Sequence, residues 1–397
     1  MITTMNSIFT STFQHDDVLD WARELGAVQR LRDIHPADLC LALTQCAMGD
    51  ETRSIATARR AYFTLTGNMP EESSFYKRFS EGSVALMKRL FERALGAGPL
   101  EQRKKLAEFL VGTGIIDIEA IDGSQITLPA SAAKKFPSTN KEHGGVKLTA
   151  ALSVLLQTIH TVTLTDARTH DRKALELPRW IHGLLCLLDR GYADHRLWAT
   201  IEDRKGYFLT PLKSSTMPRI SDVRSGVGKK HIGKELSGDL RCFGVVDVDA
   251  EFSVRKRGCR TFRVVRVPVR QDLGDGRVRI DYLWFATNLP PEHFSPEQVA
   301  TIYRFRWGVE QLSRTLKVVG RLDHLRSANA HVIQTFIYAT LLGMMLAHDI
   351  CALMRRKQPG IEPSQYRVTA LLLMYLPSIV SALRTRKIRD ILMSFEN

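Results

Sequence analysis

The stretch "GIIDIEAIDGSQITL" at 114–128 sets isoleucines at 115, 116, 118, 121 and 126 between single polar residues and contains no proline. It reads as a β-strand. Asp117 and Glu119 alternate with its apolar residues and are assigned to its wet face, with one of them available to support a site from behind. Asp122 closes the apolar part, and Gly123 after it permits close approach of another backbone.

Strand-like segments continue downstream as "VKLTAALSVLL" (146–156) and "HTVTLTDA" (160–167). A helical "DRKALELPRWIHG" (171–183), the apolar run Leu184–Leu188, a helix "DHRLWATIEDRK" (194–205) and a strand "GYFLTPLK" (206–213) follow. This order predicts a mixed α/β sheet flanked by helices, with Leu184–Leu188 as a central strand buried on both faces. Asp189 follows that run and precedes Arg190, Gly191 and Tyr192. A carboxylate at the end of a buried strand is costly to ionise unless a cation or donor meets it. Asp122 and Asp189 are therefore candidate site residues.

A third acid comes from "YRFRWGVEQLSRTLK", residues 303–317. Its helix start is well signalled: Ser295 as N-cap, Pro296 at the first helical position, Glu297 in the first turn and Gln298 completing a capping box. At about 100° per residue, Tyr303, Arg306, Glu310 and Lys317 fall within about 60° of one another, with Phe305, Val309, Leu312 and Leu316 opposite. The bland reading is a solvated face with an Arg306–Glu310 pair. The chemical reading adds Glu310 to the two strand-end aspartates. Three such anions repel one another unless hard divalent cations lie between them, and magnesium or manganese suits an all-oxygen set. Two such ions about 4 Å apart are suited to phosphodiester displacement.

The rest of the chain supports a polyanionic partner. Its 397 residues carry a formal charge of +14 with 44% hydrophobic residues, the profile of an ordinary globular protein with a nucleic-acid bias. Between 213 and 280 there are sixteen Lys or Arg against eight Asp or Glu. Here "SVRKRGCRTFRVVRVPVR" (253–270) predicts a β-rich insertion, residues 213–283, with a cationic surface. Period-two alternation sends Arg260, Arg266 and Arg270 to one face, as a phosphate-tracking row, and Arg263 to the other. Residues 13–96 read as helices, with Arg53, Arg59, Arg60, Lys77 and Arg78 either a DNA reader or a solvated face. The region from about 330 reads as C-terminal helices, and the apolar run Phe336–Ala347 is too short to span a bilayer and reads as a buried helix. Six scattered cysteines show neither a disulfide framework nor a zinc knuckle. The first residues lack the pattern of a signal peptide. A cytoplasmic location is expected, with no membrane partner.

The motifs "IDG" at 121–123 and "DRGY" at 189–192, with the pattern Y-x2-R-x3-E-x6-K at Tyr303, Arg306, Glu310 and Lys317, resemble the DDE transposases of bacterial insertion sequences, in the insertion-sequence-four group. The resemblance covers about 115–330. It implies a ribonuclease-H-like catalytic core with a β-rich insertion, in which Asp122, Asp189 and Glu310 bind two Mg2+ ions, with Mn2+ able to substitute. It assigns Tyr303, Arg306 and Lys317 to gripping the DNA end; Arg190, Arg260, Arg266 and Arg270 are further DNA-contact candidates. Some members trap a flipped base with a tryptophan in the insertion, which has none here; Trp284 lies at its exit and Trp307 on the signature helix.

The expected organisation is an N-terminal helical DNA-binding domain (1–112), the core in two parts (113–212 and 284–330) around the insertion (213–283), and a C-terminal helical region (331–397). The expected activity is cutting at terminal inverted repeats and joining the 3′ ends to target DNA, by a dimer or larger synaptic complex at the bacterial nucleoid. A stand-alone nuclease of the same fold and an inactive DNA-binding relative are the alternatives. Among competing residues, Asp171 is a weaker ligand candidate, His143 and His160 lack partners at metal-ligand spacing, and Ser124 lacks a nucleophile's context.

Overall fold

The computed structural model describes residues 12–49, 53–95, 110–155, 158–170, 181–213, 215–236, 244–272, 278–306 and 325–357, with 173, 175, 177, 322, 367 and 368. The side chains at 95, 158, 269–272, 278–280, 348, 352, 353 and 355–357 also fall outside the description. So do Trp307, Glu310 and Lys317, Asp171, and most of the helix expected at 171–183.

Nine strands form one sheet: β1 (Asp117–Leu128), β2 (Gly144–Ser153), β3 (Thr158–Asp166), β4 (Leu184–Leu187), β5 (Tyr207–Pro211), β6 (Arg219–Ser225), β7 (Val246–Val254), β8 (Gly258–Asp272) and β9 (Val278–Thr287), in the order β3-β2-β1-β4-β5-β9-β8-β7-β6. β1, β2 and β3 pair antiparallel, β4 runs parallel to both β1 and β5, and the remaining pairs are antiparallel. The mixed α/β class expected from sequence is present. As expected, β4 lies in the middle of the sheet with all four residues buried. The basic insertion is β-rich, and β9 joins β5 and carries β8, β7 and β6 as a direct extension of the sheet. The expected boundary at 283/284 falls inside β9.

One face of the sheet is covered by α6 (His195–Asp203), capped by the Asp194 carboxylate, which accepts from the Arg196 N–H. Trp198 of α6 stacks on Phe208 with ring centroids 5.2 Å apart, and Phe208 meets Phe262 edge-on at 5.1 Å. On the opposite face, Ile118, Leu185, Leu187, Leu209, Val265 and Phe285 pack with Val299 and Ile302 of α7 (Pro296–Tyr303).

A helical body covers the β1–β3 end. It contains α1 (His15–Glu24), α2 (Pro36–Met48), α3 (Ile55–Thr66), the short α4 (Glu72–Tyr76) and α5 (Glu81–Leu95). Pro36 begins α2 as expected, and α3 runs from the Ser54 cap to Gly67, whose φ of 72° closes the helix in the left-handed region. The long α8 (Ala330–Lys357) packs against α2 and α5, so helices from the two ends of the chain share one core with Ile126, Leu148 and Val162 of the sheet. Among the described residues α8 alone is long and apolar enough to cross a membrane, and 83% of its apolar window is buried inside the protein. It is longer than the apolar run Phe336–Ala347 suggests, and it is a core helix.

Candidate active site

The two aspartates are placed by strand register. β1 and β4 run parallel with Asp117 opposite Leu184 and Ala120 opposite Leu187. Carrying that offset two residues further sets Asp122 level with Asp189. Aligned residues of paired strands share a face, so both carboxylates belong to the face of Ile118, Leu185 and Leu187, on which α7 lies. Both residues are half-buried.

Asp122 does not end its strand, as the sequence suggested. β1 continues to Leu128 in its ladder with β2, where Asp122 faces Ala150. What ends near Asp122 is the parallel pairing with β4, so the carboxylate stands where β1 loses one neighbour. Asp189 lies one residue beyond the buried Leu188, and its carbonyl accepts the Tyr192 N–H at 2.9 Å. That bond starts the 3-10 turn Arg190–Tyr192, and Tyr192 anchors it with a side chain 2% exposed. Arg190 is exposed beside the site.

The capping box expected at the start of α7 is present, with Gln298 N–H donating to Ser295 Oγ and Ser295 N–H donating to Gln298 Oε1. The α-helical register, however, stops at Tyr303, and Arg304–Arg306 wind as a tighter 3-10 turn against β1. Tyr303 follows the buried Val299 by four residues and so already shares its sheet-facing side, opposite to the wet face expected for it. Tyr303 turns toward the sheet, with its ring 4.9 Å from that of Phe285 and its hydroxyl donating to the Leu188 carbonyl at 3.4 Å. Arg306 is half-buried with its guanidinium 5.4 Å from the centre of the Tyr303 ring. Phe305, expected in the core, is 37% exposed. Tyr303 therefore reaches the residue that precedes Asp189, with Arg306 against its ring, whereas Glu310 and Lys317 lie outside the described residues.

Asp117 and Glu119 are not on a wet face. They are 8% and 1% exposed, because the sheet is covered on both sides where they stand. Asp117 accepts from Ser153 Oγ at 2.6 Å and from the Ile118 and Leu155 amides, and burial raises its pKa. Glu119 Oε1 meets His160 Nδ1 at 2.5 Å. β3 pairs Ile159 with Leu152 and Thr161 with Ala151, leaving His160 as the extra residue of a bulge. The Glu119 contact raises the His160 pKa against the opposing effect of burial. Period-two reading gives no signal for a bulge, so this pair was not legible.

The basic row on β8 is also corrected. Its alternation holds without a bulge. But Arg260 pairs with Asp203 at 2.9 Å and Glu202 at 3.6 Å on α6. Arg266 is 5% exposed, donates to the Gly244 carbonyl at 2.8 Å and lies 4.0 Å over the Tyr282 ring. Burial withdraws Arg266 from an open phosphate-tracking row, Arg260 keeps 40% of its side chain exposed beside its acidic partners, and the Arg270 side chain lies outside the description. Arg53, a candidate reader in the helical body, is 1% exposed and donates to the Ala47 carbonyl at 2.7 Å.

Residues 114–346 match the family model described as "Transposase DDE domain". The transposase for insertion sequence element IS231F of Bacillus thuringiensis subsp. israelensis is 21% identical over 88% of this chain and 81% of its own length. The IS231E transposase of Bacillus thuringiensis subsp. finitimus is 21% identical over 94% of this chain and 85% of its own length. The transposase for IS421 of Escherichia coli is 41% identical, over 16% of this chain and 17% of its own length. Members of this family generally use divalent metal and act on DNA. From the family match across more than half of its length and from relatives aligned nearly end to end, the chain belongs to the DDE transposases of the insertion-sequence-four-like group, enzymes of DNA cleavage and transfer.

Proposed function

We propose that the protein cuts DNA at the terminal inverted repeats of an insertion sequence and joins the freed 3′ ends to target DNA, at a site formed by Asp122, Asp189 and Glu310. The observation that carries this reading is the β1–β4 register, which brings Asp122 level with Asp189 on the face that α7 covers. The strand order 3-2-1-4-5, three antiparallel and then two parallel, supports a ribonuclease-H-like core.

An acidic, all-oxygen pair fits hard divalent ions and disfavours soft ones. Asp122, Asp189 and Glu310 would hold two Mg2+, or Mn2+ in their place. When bound, such ions stabilise the attacking and leaving oxygens of a phosphodiester displacement. The turn at Arg190–Tyr192 fixes the Asp189 backbone, and the Tyr303 hydroxyl ties the signature segment to the end of the strand that precedes it. Tyr303, Arg306, Lys317 and the exposed Arg190 would engage the DNA end. Arg260 and Arg266 take the lesser role of shaping the insertion, through Asp203 and the Gly244 carbonyl, and Arg270 would add a phosphate contact. Two ends must be joined together, so the acting species is a dimer or larger synaptic complex at the bacterial nucleoid.

The test uses the full chain with duplex DNA carrying the element's own end. Asp122→Asn, Asp189→Asn and Glu310→Gln each abolish Mg2+-dependent cleavage while leaving duplex binding close to wild type, because each removes an anionic oxygen at nearly constant volume. A variant that cleaves at near wild-type rate removes its residue from the site.

A further inference from the structure

The helical body holds a second group of metal-type ligands, far in sequence from the acidic site. His15 begins α1, while His35 and Asp38 lie at the start of α2. One ligand atom from each can be chosen so that all three lie within 4.8 Å of one another. His15 Nε2 is 3.2 Å from Asp38 Oδ1, and the two imidazole rings lie 4.5 Å apart at 36°.

We propose that His15, His35 and Asp38 form a site for a borderline-soft divalent transition ion, best matched by Zn2+, that fastens α1 to the start of α2. Bonds of about 2.0–2.1 Å in a tetrahedral shell put ligand atoms about 3.3 Å apart. The His15–Asp38 separation already equals that edge. The edges to His35 close by rotation of the His15 and His35 imidazoles toward the Asp38 carboxylate, the His15 side chain being 54% exposed and that of Asp38 11%. The His35 backbone is fixed, since its N–H donates to the Tyr62 hydroxyl at 3.1 Å, which donates to the Asp33 carbonyl. Two imidazoles and one carboxylate select zinc-like ions, whereas the all-carboxylate acidic site selects magnesium. Water completes the shell on the exposed His15 side.

Two effects oppose the ion, and both are small. His35 Nδ1 accepts the Ala37 N–H at 3.3 Å as the α2 cap, and that bond is lost whichever ring nitrogen binds, because Nδ1 must then hold either the metal or a proton. The α2 dipole also disfavours positive charge at this end. Neither approaches the strength of three ligand bonds.

The test strips the full-length protein with chelator, returns it to excess Mg2+ to occupy the acidic site, and titrates Zn2+ by calorimetry, with Co2+ absorption reporting tetrahedral geometry. The expected result is a single Zn2+ equivalent that Mg2+ does not displace, with a rise in melting temperature. His15→Ala, at an exposed position, and His35→Asn, which keeps a capping side chain, each weaken that equivalent by more than about tenfold and abolish the rise, with unchanged circular dichroism. No Zn2+ equivalent in the wild type, or both variants binding Zn2+ within twofold of it, overturns the proposal.

Discussion

Arg263 lies in the middle of β8 with 4% of its surface exposed, its Nε and Nη2 donating to the two oxygens of Asp247 at 2.9 and 2.6 Å. Its Nη1 donates to the Phe294 carbonyl at 2.8 Å, so one side chain ties β7 and β8 to the loop that leads into α7. Breaking a buried pair strands its partner, at about 3–5 kcal/mol. Arg224, 3.8 Å from Asp247, offsets part of that, so Arg263→Gln is expected near the low end, about 3 kcal/mol, in a urea series; a loss below about 1 kcal/mol would show that Asp247 finds another partner. The sequence placed Arg263 opposite its neighbours correctly, because alternation needs only a regular strand. Glu119 and His160 resisted the same rule, because burial of both faces and a bulge are tertiary facts. The folded pKa of His160 is raised, chiefly by Glu119, so the stability from its protonated form is full below its unfolded pKa, about 6.5, and is lost as pH rises through the folded value. The stability gap between wild type and His160→Gln should therefore narrow as pH rises from 6 upward; a gap independent of pH would mean that the pair acts only by packing.

At the scale of elements, α7 shows what sequence can and cannot give. Ser295, Pro296 and Gln298 specify its start because capping is local chemistry, and the structure has that start. Where the helix tightens after Tyr303 depends on the sheet beneath it, through the Phe285 ring and the Leu188 carbonyl, so no periodicity in 303–317 announces it. The same holds for β1, whose two edges end at different residues because β2 accompanies it farther than β4 does. Since α7 carries Tyr303 to the strand end of Asp189, loss of its cap is expected to affect catalysis as well as stability. Ser295→Ala should cost about 1 kcal/mol and reduce cleavage more than duplex binding; unchanged cleavage at that loss of stability would mean that β8 and β9 alone hold Tyr303 in place.

Over the whole molecule, the mixed α/β class and the central place of β4 followed from the succession of strands and helices, while the joining of the chain's two ends did not. α2 and α5 carry apolar residues that a separate N-terminal domain would bury alone, yet their partner α8 begins at Ala330. Local pattern marks α8 as apolar without naming what covers it. Gly343 makes part of the fit, since a Cβ there would lie 2.4 Å from Met48 Cγ of α2. This arrangement has a consequence in time. The stretch from Leu95 to Ala330 is synthesised after α5 and before α8; at about 5–20 residues per second, that interval lasts roughly 12–47 s. Throughout it the surfaces of α2 and α5 that α8 will cover are open to water or to other chains. The newborn protein thus passes through a sticky stage set by the order of its own residues, which lasts at least until translation reaches α8.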